Sequence, residues 1–323
     1  MRQERGQPGT AIAATLAASR SWWRRGSADA PLWQRDRKWW TTLIKGLALA
    51  LAAFLILFPI LNVVLISLMT QKELVQYAGG LDLFPRHLSL GAYQLIFQGG
   101  IVTRALLVSA GITIVGTVAS LVASSCLAFG LSVEGLPFRR TFLTIVLLTF
   151  LFNPGIIPLY LTVDYTHLLN TYASLIIPVL LNTFNVIVMR NFFMSIPNEL
   201  LEAATIDGAG YGKILLRVVL PLSKPILAVM ALFYAVGYWN AFFNALLFLN
   251  DTAKWPIQLV LQQYVIANSA LPQTAQNTIE VIQSPEQSVQ MAAVVVAIVP
   301  ILIVYPFLQR YFLSGVLTGA IKG

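Results

Sequence analysis

Six long blocks of apolar residues dominate this chain of 323 residues and limit the kind of fold that it can adopt. A helix needs about 20 consecutive apolar residues to cross the roughly 30 Å hydrocarbon core of a bilayer. Backbone groups in lipid must be hydrogen-bonded internally, which a helix achieves. We therefore predict an all-α integral membrane protein with six transmembrane helices, near residues 43–68, 105–132, 141–161, 173–194, 225–249 and 289–313.

The composition agrees with this fold class. Hydrophobic residues make up 57% of the chain and charged residues only 11%, whereas a soluble domain carries about 25% charged residues. The six spans form one membrane domain, residues 43–323, with no room for a separate catalytic domain. The spans contain almost no ionisable residues and no nucleophile paired with a base, which disfavours an ion-coupled secondary transporter and a membrane enzyme.

The net charge of +8 is distributed unevenly over the predicted topology. Seventeen of the 21 lysine and arginine residues fall in the N-terminal 45 residues, the second and fourth connections and the C-terminal end, all on one side. Basic residues mark the cytoplasmic side of a bilayer, so we expect both termini to be cytoplasmic in a bacterial inner membrane. This bias explains the charge without a nucleic-acid partner. The exceptions are Lys72, Arg86, Arg104 and Lys254.

Residues 1–42 form a polar segment in which tryptophans lie among arginines. This combination favours the lipid headgroup region. We predict a basic, tryptophan-rich cytoplasmic arm that is partly ordered and leads into a helix on the membrane surface. A regulatory contact with another subunit is the alternative. The tryptophans are Trp22, Trp23, Trp33, Trp39 and Trp40.

Disulfide and metal chemistry have little basis in this sequence. Cys126 is the only cysteine, so no disulfide within the chain and no cysteine metal site is possible. We expect Cys126 to be buried and inert within its apolar span. His167 is a lone external histidine, and no metal site is predicted.

The connection between the fourth and fifth spans, about residues 195–224, has a helical pattern that is unusual for a membrane connection. Pro197 suits the first turn of a helix, and Glu202 lies near the positive end of that helix. Gly208 stands where a left-handed helix cap is expected. Residues 211–219 predict a second short helix that Leu220 and Pro221 end, and Pro225 begins the next span.

The spacing within this connection resembles the EAA loop of ABC importer permeases. Glu202-Ala203-Ala204 is followed after three residues by Gly208, and nine residues later by Val218-x-Leu220-Pro221. The resemblance implies a coupling helix against which a cytoplasmic ATPase subunit docks. Glu202 suits a charge-assisted pair with an arginine of that partner, and the two alanines allow close approach. The implied coupling residues are Glu202, Ala203, Ala204, Asp207, Gly208, Leu220 and Pro221.

A longer stretch is similar to the carbohydrate-uptake branch of these permeases. It comprises 206–209, 220–225 and 233–244, and it looks like permeases for complex saccharides, including uronate polymers such as alginate. An ABC permease for amino acids or phosphate is the nearer alternative. The resemblance implies a non-catalytic subunit, because no glycine-rich phosphate loop is visible in the sequence.

The same resemblance implies a set of partners. We expect a second homologous permease, two ATPase subunits that carry ATP and Mg²⁺, and an extracytoplasmic solute-binding protein that delivers the saccharide. No cofactor is expected on this chain. The long external connection 250–288, rich in asparagine and glutamine, is predicted to lie at the mouth of the pathway and meet the binding protein.

Polar and aromatic residues of the fifth span follow helical spacing and predict a substrate path. Amides hydrogen-bond sugar hydroxyls, aromatic faces pack on sugar C–H groups, and polar residues in a span usually face a cavity or the bundle interior. Helix–helix contacts are the alternative. Asn153-Pro154-Gly155 predicts a kink instead. The stripe is Phe233, Gly237, Asn240 and Asn244, beside the pair Tyr234 and Tyr238. The predicted path residues are Tyr234, Tyr238, Asn240 and Asn244, with Asn182 and Asn185 as weaker candidates.

Overall fold

A computed structural model describes residues 39–70, 73–74, 87–98, 100–152, 154–265 and 286–320. Within these ranges all regular secondary structure is helical, as the apolar blocks predict. The helices are α1 (Trp39–Ser67), α2 (Gly91–Gln98), α3 (Ile101–Ser132), α4 (Arg139–Leu151), α5 (Ile156–Tyr165), α6 (Ala173–Ile176), α7 (Thr183–Met194), α8 (Asn198–Ile206), α9 (Tyr211–Ile214), α10 (Leu220–Leu222), α11 (Lys224–Trp239), α12 (Phe242–Phe248), α13 (Ile257–Val265) and α14 (Glu286–Ala320). Short 3₁₀ turns follow α6 and α12, and a π-helical segment, Leu215–Val219, joins α9 to α10.

The chain divides into two compact units, Met1–Leu61 and Asn62–Gly323. In the first unit the described residues belong to α1, whose large apolar side chains between positions 43 and 61 are almost all exposed. This exposure suits contact with lipid. Most of the predicted arm, residues 1–38, lies outside the described residues, so the arm stays a prediction.

The described helices provide up to six membrane spans, as predicted, but three of the six are bent. Thr42–Ser67, Ile101–Ser132 and Gln287–Pro306 are each long and apolar enough to cross a membrane. Three helix pairs reach that length only together, and each pair bends by more than 40° at a short break. These pairs are α4 with α5, the 173–179 segment with α7, and the 211–222 segment with α11. In the last pair only α11 falls in a predicted span, because residues 211–222 belong to the predicted connection.

The bend between α4 and α5 falls where a kink is predicted. Gly155, at the start of α5, has a φ of +83°, a left-handed value that glycine adopts at little cost. Asn153 itself lies outside the described residues. The predicted local break is confirmed, although it divides the third span into two helices.

The prediction of one continuous fifth span over residues 225–249 is wrong. Helix α11 ends at Trp239, and α12 begins only at Phe242. The Asn240 side chain donates a hydrogen bond from Nδ2 to the carbonyl of Val236 at 3.0 Å. A short amide side chain competes in this way with the backbone for a helical carbonyl and favours a helix end.

Helix α3 is central to the second unit and packs against α7 and α11. Its buried face carries mainly small residues, which allow the neighbouring backbones to approach closely. Cys126 lies on the other face and is exposed, so the expectation of a buried cysteine is wrong. Helical periodicity explains the error, because buried Ser124 and Ala128 fix the inward face. The small buried residues are Ala105, Ser109, Gly116, Ser120, Ser124, Ser125 and Ala128.

Candidate functional site

The first arm of the connection is helix α8. Pro197 occupies the N-cap, with φ −56° and ψ 130°, and the helix begins at Asn198. The predicted place of Pro197 in the first turn is therefore wrong by one position, because its extended ψ keeps it outside the helix. Glu199 lies in the first turn, where a carboxylate interacts favourably with the helix dipole.

Helix α8 ends in a left-handed cap at Gly208, as predicted. Gly208 has a φ of +75°, and Asp207 is the last half-helical residue. The Gly208 N–H donates to the Thr205 carbonyl at 3.0 Å, and the Ala209 N–H donates to the Ala204 carbonyl at 3.0 Å. This pair of bonds is a Schellman motif, which reverses the chain tightly.

The second arm is longer than predicted. It runs from Tyr211 to Leu222 through α9, the π-helical segment and α10. The prediction that Leu220 and Pro221 end this helix is wrong. Pro221 lies in the first turn of α10, where a missing N–H costs little. Ser223 caps the end of the arm. Helix α11 begins at Lys224 with Pro225 in its first turn, so the prediction that Pro225 begins the span is wrong by one position.

The second arm is anchored in the protein core. Ile214, Leu215 and Val219 are buried in one apolar cluster with Phe129 of α3 and Met189 of α7. Met230 of α11 belongs to the same cluster. Close-packed interiors have low compressibility and transmit strain. The second arm therefore packs directly against three membrane helices.

A cleft of about 550 Å³ lies between the two arms and the ends of α3 and α7. It carries two exposed carboxylates, Glu202 and Glu134, beside the apolar side chains of Ile206 and Tyr211. Ile206 is 86% exposed and Tyr211 is 65% exposed, and neighbouring exposed apolar side chains of this kind occur at protein-binding surfaces. The cleft therefore suits a partner that offers apolar contacts and a positive charge.

The structure brings the predicted coupling residues to one end of the second unit, where they differ in exposure. Glu202 is available to a partner, whereas Ala204 faces partly inwards against the core cluster. The exposed residues are Glu202, Ala203, Asp207, Gly208 and Pro221, and the half-buried ones are Ala204 and Leu220.

Two predicted path residues form hydrogen bonds between α3 and α11. The Tyr234 hydroxyl lies 2.6 Å from Ser124 Oγ, and the Tyr238 hydroxyl lies 2.8 Å from Ser120 Oγ. Both tyrosines are buried, at 5% and 4% exposed. The Tyr238 ring also lies where a Cβ on Gly116 would approach to 2.7 Å. Within this chain the pair holds two helices together, which is the alternative that the sequence left open.

The four predicted asparagines occupy different environments. The exposed Asn182 caps α7 by accepting a hydrogen bond from the Asn185 N–H at 3.2 Å, and its own N–H donates to the Tyr234 hydroxyl at 3.3 Å. Asn185 is buried. Asn240 is exposed at the end of α11, and Asn244 is half-buried on α12. The helix break at 240–241 interrupts the predicted stripe, so Asn240 and Asn244 do not continue the face of α11 that carries Phe233 and Gly237.

Sequence reasoning missed the serines that bind the two tyrosines. Ser120 and Ser124 are one helical turn apart, and Gly116 precedes them at the same spacing. A run of small residues at every fourth position of a span indicates a close helix contact. The spacing of Gly116, Ser120 and Ser124 in the sequence is such a signal.

These helices, with an anchored helical connection at one end, define a multi-pass membrane permease. The chain belongs to the family of binding-protein-dependent transport system inner membrane components, whose pattern matches residues 47–317. Family membership and the all-helical fold are therefore confirmed, and so is an inner-membrane location.

Two relatives show how far the similarity extends. The polygalacturonan/rhamnogalacturonan transport system permease protein of Bacillus subtilis (strain 168) is 43% identical over 281 residues, which cover 87% of this chain and 97% of the relative. The arabinooligosaccharides transport system permease protein of Halalkalibacterium halodurans is 32% identical over 85% of this chain and 94% of its own length. The similarity thus spans nearly the whole of both relatives.

A solved structure has the same fold. It is a chain of a bacterial ABC transporter involved in the import of the acidic polysaccharide alginate. The TM-score is 0.79 at 30% sequence identity, over 84% of this chain and 96% of the other. The likeness therefore covers most of both chains.

Proposed function

We propose that this chain is a permease subunit of an ATP-driven importer for oligosaccharides derived from acidic, uronate-containing polysaccharides. The observation that carries the proposal is the core-anchored helical connection with its exposed Glu202 and capping Gly208. Its similarity to permeases named for polygalacturonan/rhamnogalacturonan and alginate transport supports the substrate class. Both names denote polymers of sugar acids.

The proposed complex divides the work among several subunits. The family description itself names dependence on a binding protein, which supports a partner that delivers the saccharide from outside. A second permease completes the pathway, and two ATPase subunits bind ATP and Mg²⁺. This chain then catalyses no reaction and binds no cofactor; it supplies part of the path and the surface on which an ATPase acts.

The geometry suggests how ATPase closure would move the permease. An ATPase group that enters the cleft beside Glu202 meets a carboxylate and exposed apolar side chains. The buried residues Ile214, Leu215 and Val219 connect the second arm to α3, α7 and α11. Displacement of the connection would tilt these helices together, because a packed core moves as discrete bodies. That movement is the proposed basis of alternating access.

The proposed saccharide path uses asparagines, of which Asn182 and Asn240 hydrogen-bond through their side chains at the end of a single helix rather than between two helices. Asn182, Asn240 and half-buried Asn244 offer amides to a second permease or to sugar hydroxyls. Tyr234 and Tyr238 contribute by positioning α11 against α3, and buried Asn185 by supporting the start of α7. Each lost neutral hydrogen bond is worth about 0.5–1.5 kcal/mol, so Asn240→Leu or Asn244→Leu should lower uptake several-fold without abolishing it.

The substrate proposal is tested by uptake into proteoliposomes that contain the complete transporter and its binding protein. The panel comprises galacturonate and alginate oligosaccharides, neutral arabino-oligosaccharides, amino acids and phosphate. We expect ATP-dependent uptake of the uronate oligosaccharides. Uptake of neutral sugars alone would contradict the acidic substrate class, and uptake of amino acids or phosphate alone would contradict carbohydrate import.

The proposed orientation places the connection in the cytoplasm and the end of α5 outside. Ile206 and Tyr165 are both 86% exposed in this chain, so a cysteine at either position should react with a soluble reagent when the permease is expressed without its ATPase subunits. In a Cys126→Ala background, Ile206→Cys should be labelled only from the cytoplasmic side and Tyr165→Cys only from outside. Labelling of both from one side would overturn the topology.

A further inference from the structure

We propose that the cleft formed by Arg139, Arg140 and Arg190 binds the phosphodiester headgroup of an anionic phospholipid. The cleft has a volume of about 540 Å³ and lies between the start of α4 and the end of α7. Its lining shares no residue with the adjoining cleft that is proposed for ATPase docking, although Arg139 Nη2 lies 3.7 Å from Met194 Sδ of that second cleft. The proposal does not depend on which solute the transporter carries.

The three arginines form a concentration of positive charge that the described part of the chain does not neutralise. Arg139 Nε donates to the Leu131 carbonyl at 2.8 Å, and Arg190 Nε donates to the same oxygen at 3.0 Å. Two guanidinium groups are thus held side by side by one neutral acceptor. Among the described residues, no carboxylate lies within ion-pair distance of any of the three. An anion from outside the chain would relieve the repulsion between them.

The start of α4 adds to this positive potential, whereas the Leu131 carbonyl lies in the last turn of α3, where the helix dipole favours cations. Arg139 and Arg140 are the first two residues of α4, where the helix dipole disfavours cations and favours anions. Phe138 precedes them with a φ of +61°, a left-handed conformation that costs energy for a bulky residue. The two arginines and the left-handed backbone of Phe138 are both energetically unfavourable at the start of α4. Strained conformations of this kind are common at binding sites.

The surroundings favour a lipid headgroup over a free ion as the source of the phosphate. Phe138, which lines the cleft, is 76% exposed, and Phe142, two residues after Arg140 in the sequence, is 52% exposed. Helix α4 contains no buried residue. Leu143 and Val146 pack partly against the core cluster, and the other large apolar side chains of α4 are exposed. A lipid headgroup would bind the guanidinium groups, which suit phosphate, while its acyl chains follow the apolar surface of α4.

The proposal is tested with the complete transporter in detergent by native mass spectrometry. Phosphatidylglycerol and phosphatidylcholine with the same acyl chains are titrated separately, and inorganic phosphate is added in a third series. We expect saturable binding of phosphatidylglycerol, weaker binding of phosphatidylcholine and no competition by millimolar phosphate. Equal binding of the two lipids, or full competition by inorganic phosphate, would overturn the lipid assignment.

Arg140→Gln is the decisive variant, because Arg140 is exposed and its removal should leave the fold intact. Each arginine near a membrane surface contributes about fivefold to the binding of anionic lipid, so this variant should bind phosphatidylglycerol about fivefold more weakly. The triple variant with glutamine at all three positions should lose roughly a hundredfold.

The matched control is Arg104→Gln, an exposed arginine in the first turn of α3, at the opposite end of that helix from Leu131. Its affinity for phosphatidylglycerol should equal that of the wild type. Unchanged lipid affinity in Arg140→Gln would overturn the proposal. If that variant instead lost an ATPase subunit, the cleft would be a protein contact and not a lipid site.

Discussion

Gly116 lies directly against the ring of Tyr238, where α3 and α11 pack together. A Cβ at this position would lie 2.7 Å from the ring of Tyr238, and Tyr238 is fixed there by its hydrogen bond to Ser120. Neither the ring nor the backbone of α3 can move without breaking a buried contact. The absence of a side chain at Gly116 therefore sets the distance between α3 and α11.

Gly116→Ala should destabilise the protein by about 1–3 kcal/mol, the usual cost of overpacking a core. Gly111→Ala is the control, since Gly111 lies on the same helix with nothing within 4 Å of an added Cβ. Thermal unfolding of the purified transporter should show a lower Tm for Gly116→Ala only. Equal Tm values for the two variants would show that the ring does not restrict this site.

Glu73 is a buried carboxylate outside the membrane spans. Burial alone raises the pKa of its carboxyl, but hydrogen bonds from the His87 N–H and from the Thr70 N–H and hydroxyl outweigh burial and leave the pKa below its ordinary value. The ionised form is therefore favoured by folding.

A lowered pKa in the folded state stabilises the protein above the ordinary carboxyl pKa, and this contribution is lost as the pH falls through the lowered value. Glu73→Gln should lower the Tm at pH 7, and the difference from the wild type should shrink as the pH falls below about 4. Asp164→Asn, at an exposed carboxylate, is the control. A difference for Glu73→Gln that is constant across the whole pH range would contradict this account.

At the scale of elements, the paired hydroxyls of α3 and α11 form a ladder. Its two rungs, Tyr234 with Ser124 and Tyr238 with Ser120, are spaced by one helical turn on both helices. Hydrogen bonds between membrane helices contribute about 0.6 kcal/mol on average. The ladder therefore aligns the helices more than it stabilises them.

Tyr234→Phe removes the shorter rung and its contact with the Asn182 N–H. Combined with Ser124→Ala in a double-mutant cycle, it should show a coupling energy of about 0.5–1.7 kcal/mol in unfolding experiments. Tyr165→Phe, at an exposed position, should show no coupling with Ser124→Ala. Additive effects of Tyr234→Phe and Ser124→Ala would mean that the hydroxyls do not interact in the protein.

The elements also show what sequence reasoning can recover. Apolar length predicts the number of spans, and the glycine after Asp207 predicts the left-handed cap, because both are local properties. Helix ends at Trp239 and Leu222 were mispredicted, since a side-chain cap at Asn240 and a π-helical segment before Pro221 depend on geometry that residue type alone does not specify.

Some features of the candidate site can be predicted from the sequence, and others depend on the three-dimensional structure. The spacing of Glu202 and Gly208 indicates the connection directly. The burial of Tyr234 and Tyr238 could not be predicted from α11 alone, because it requires the serine-bearing face of α3. The arginine cleft likewise depends on α4 and α7 meeting, and these helices are separated in sequence.

At the scale of the whole molecule, we propose that the connection formed by α8 to α10 links ATP hydrolysis to saccharide transport. Gly208 and Gly210 offer a matched test. A Cβ meets nothing within 4 Å at either position, but φ is +75° at Gly208 and −72° at Gly210. Valine therefore strains the backbone at the first position and fits at the second.

The most direct measurement is ATP hydrolysis by the reconstituted transporter with and without the saccharide-loaded binding protein, together with saccharide uptake. Gly208→Val should assemble in the membrane but lose both stimulated hydrolysis and uptake, because the Schellman turn that holds the two arms is strained. Gly210→Val should remain within about twofold of the wild type, since its backbone conformation suits any residue. Stimulated hydrolysis and uptake at wild-type rates in Gly208→Val would contradict the account.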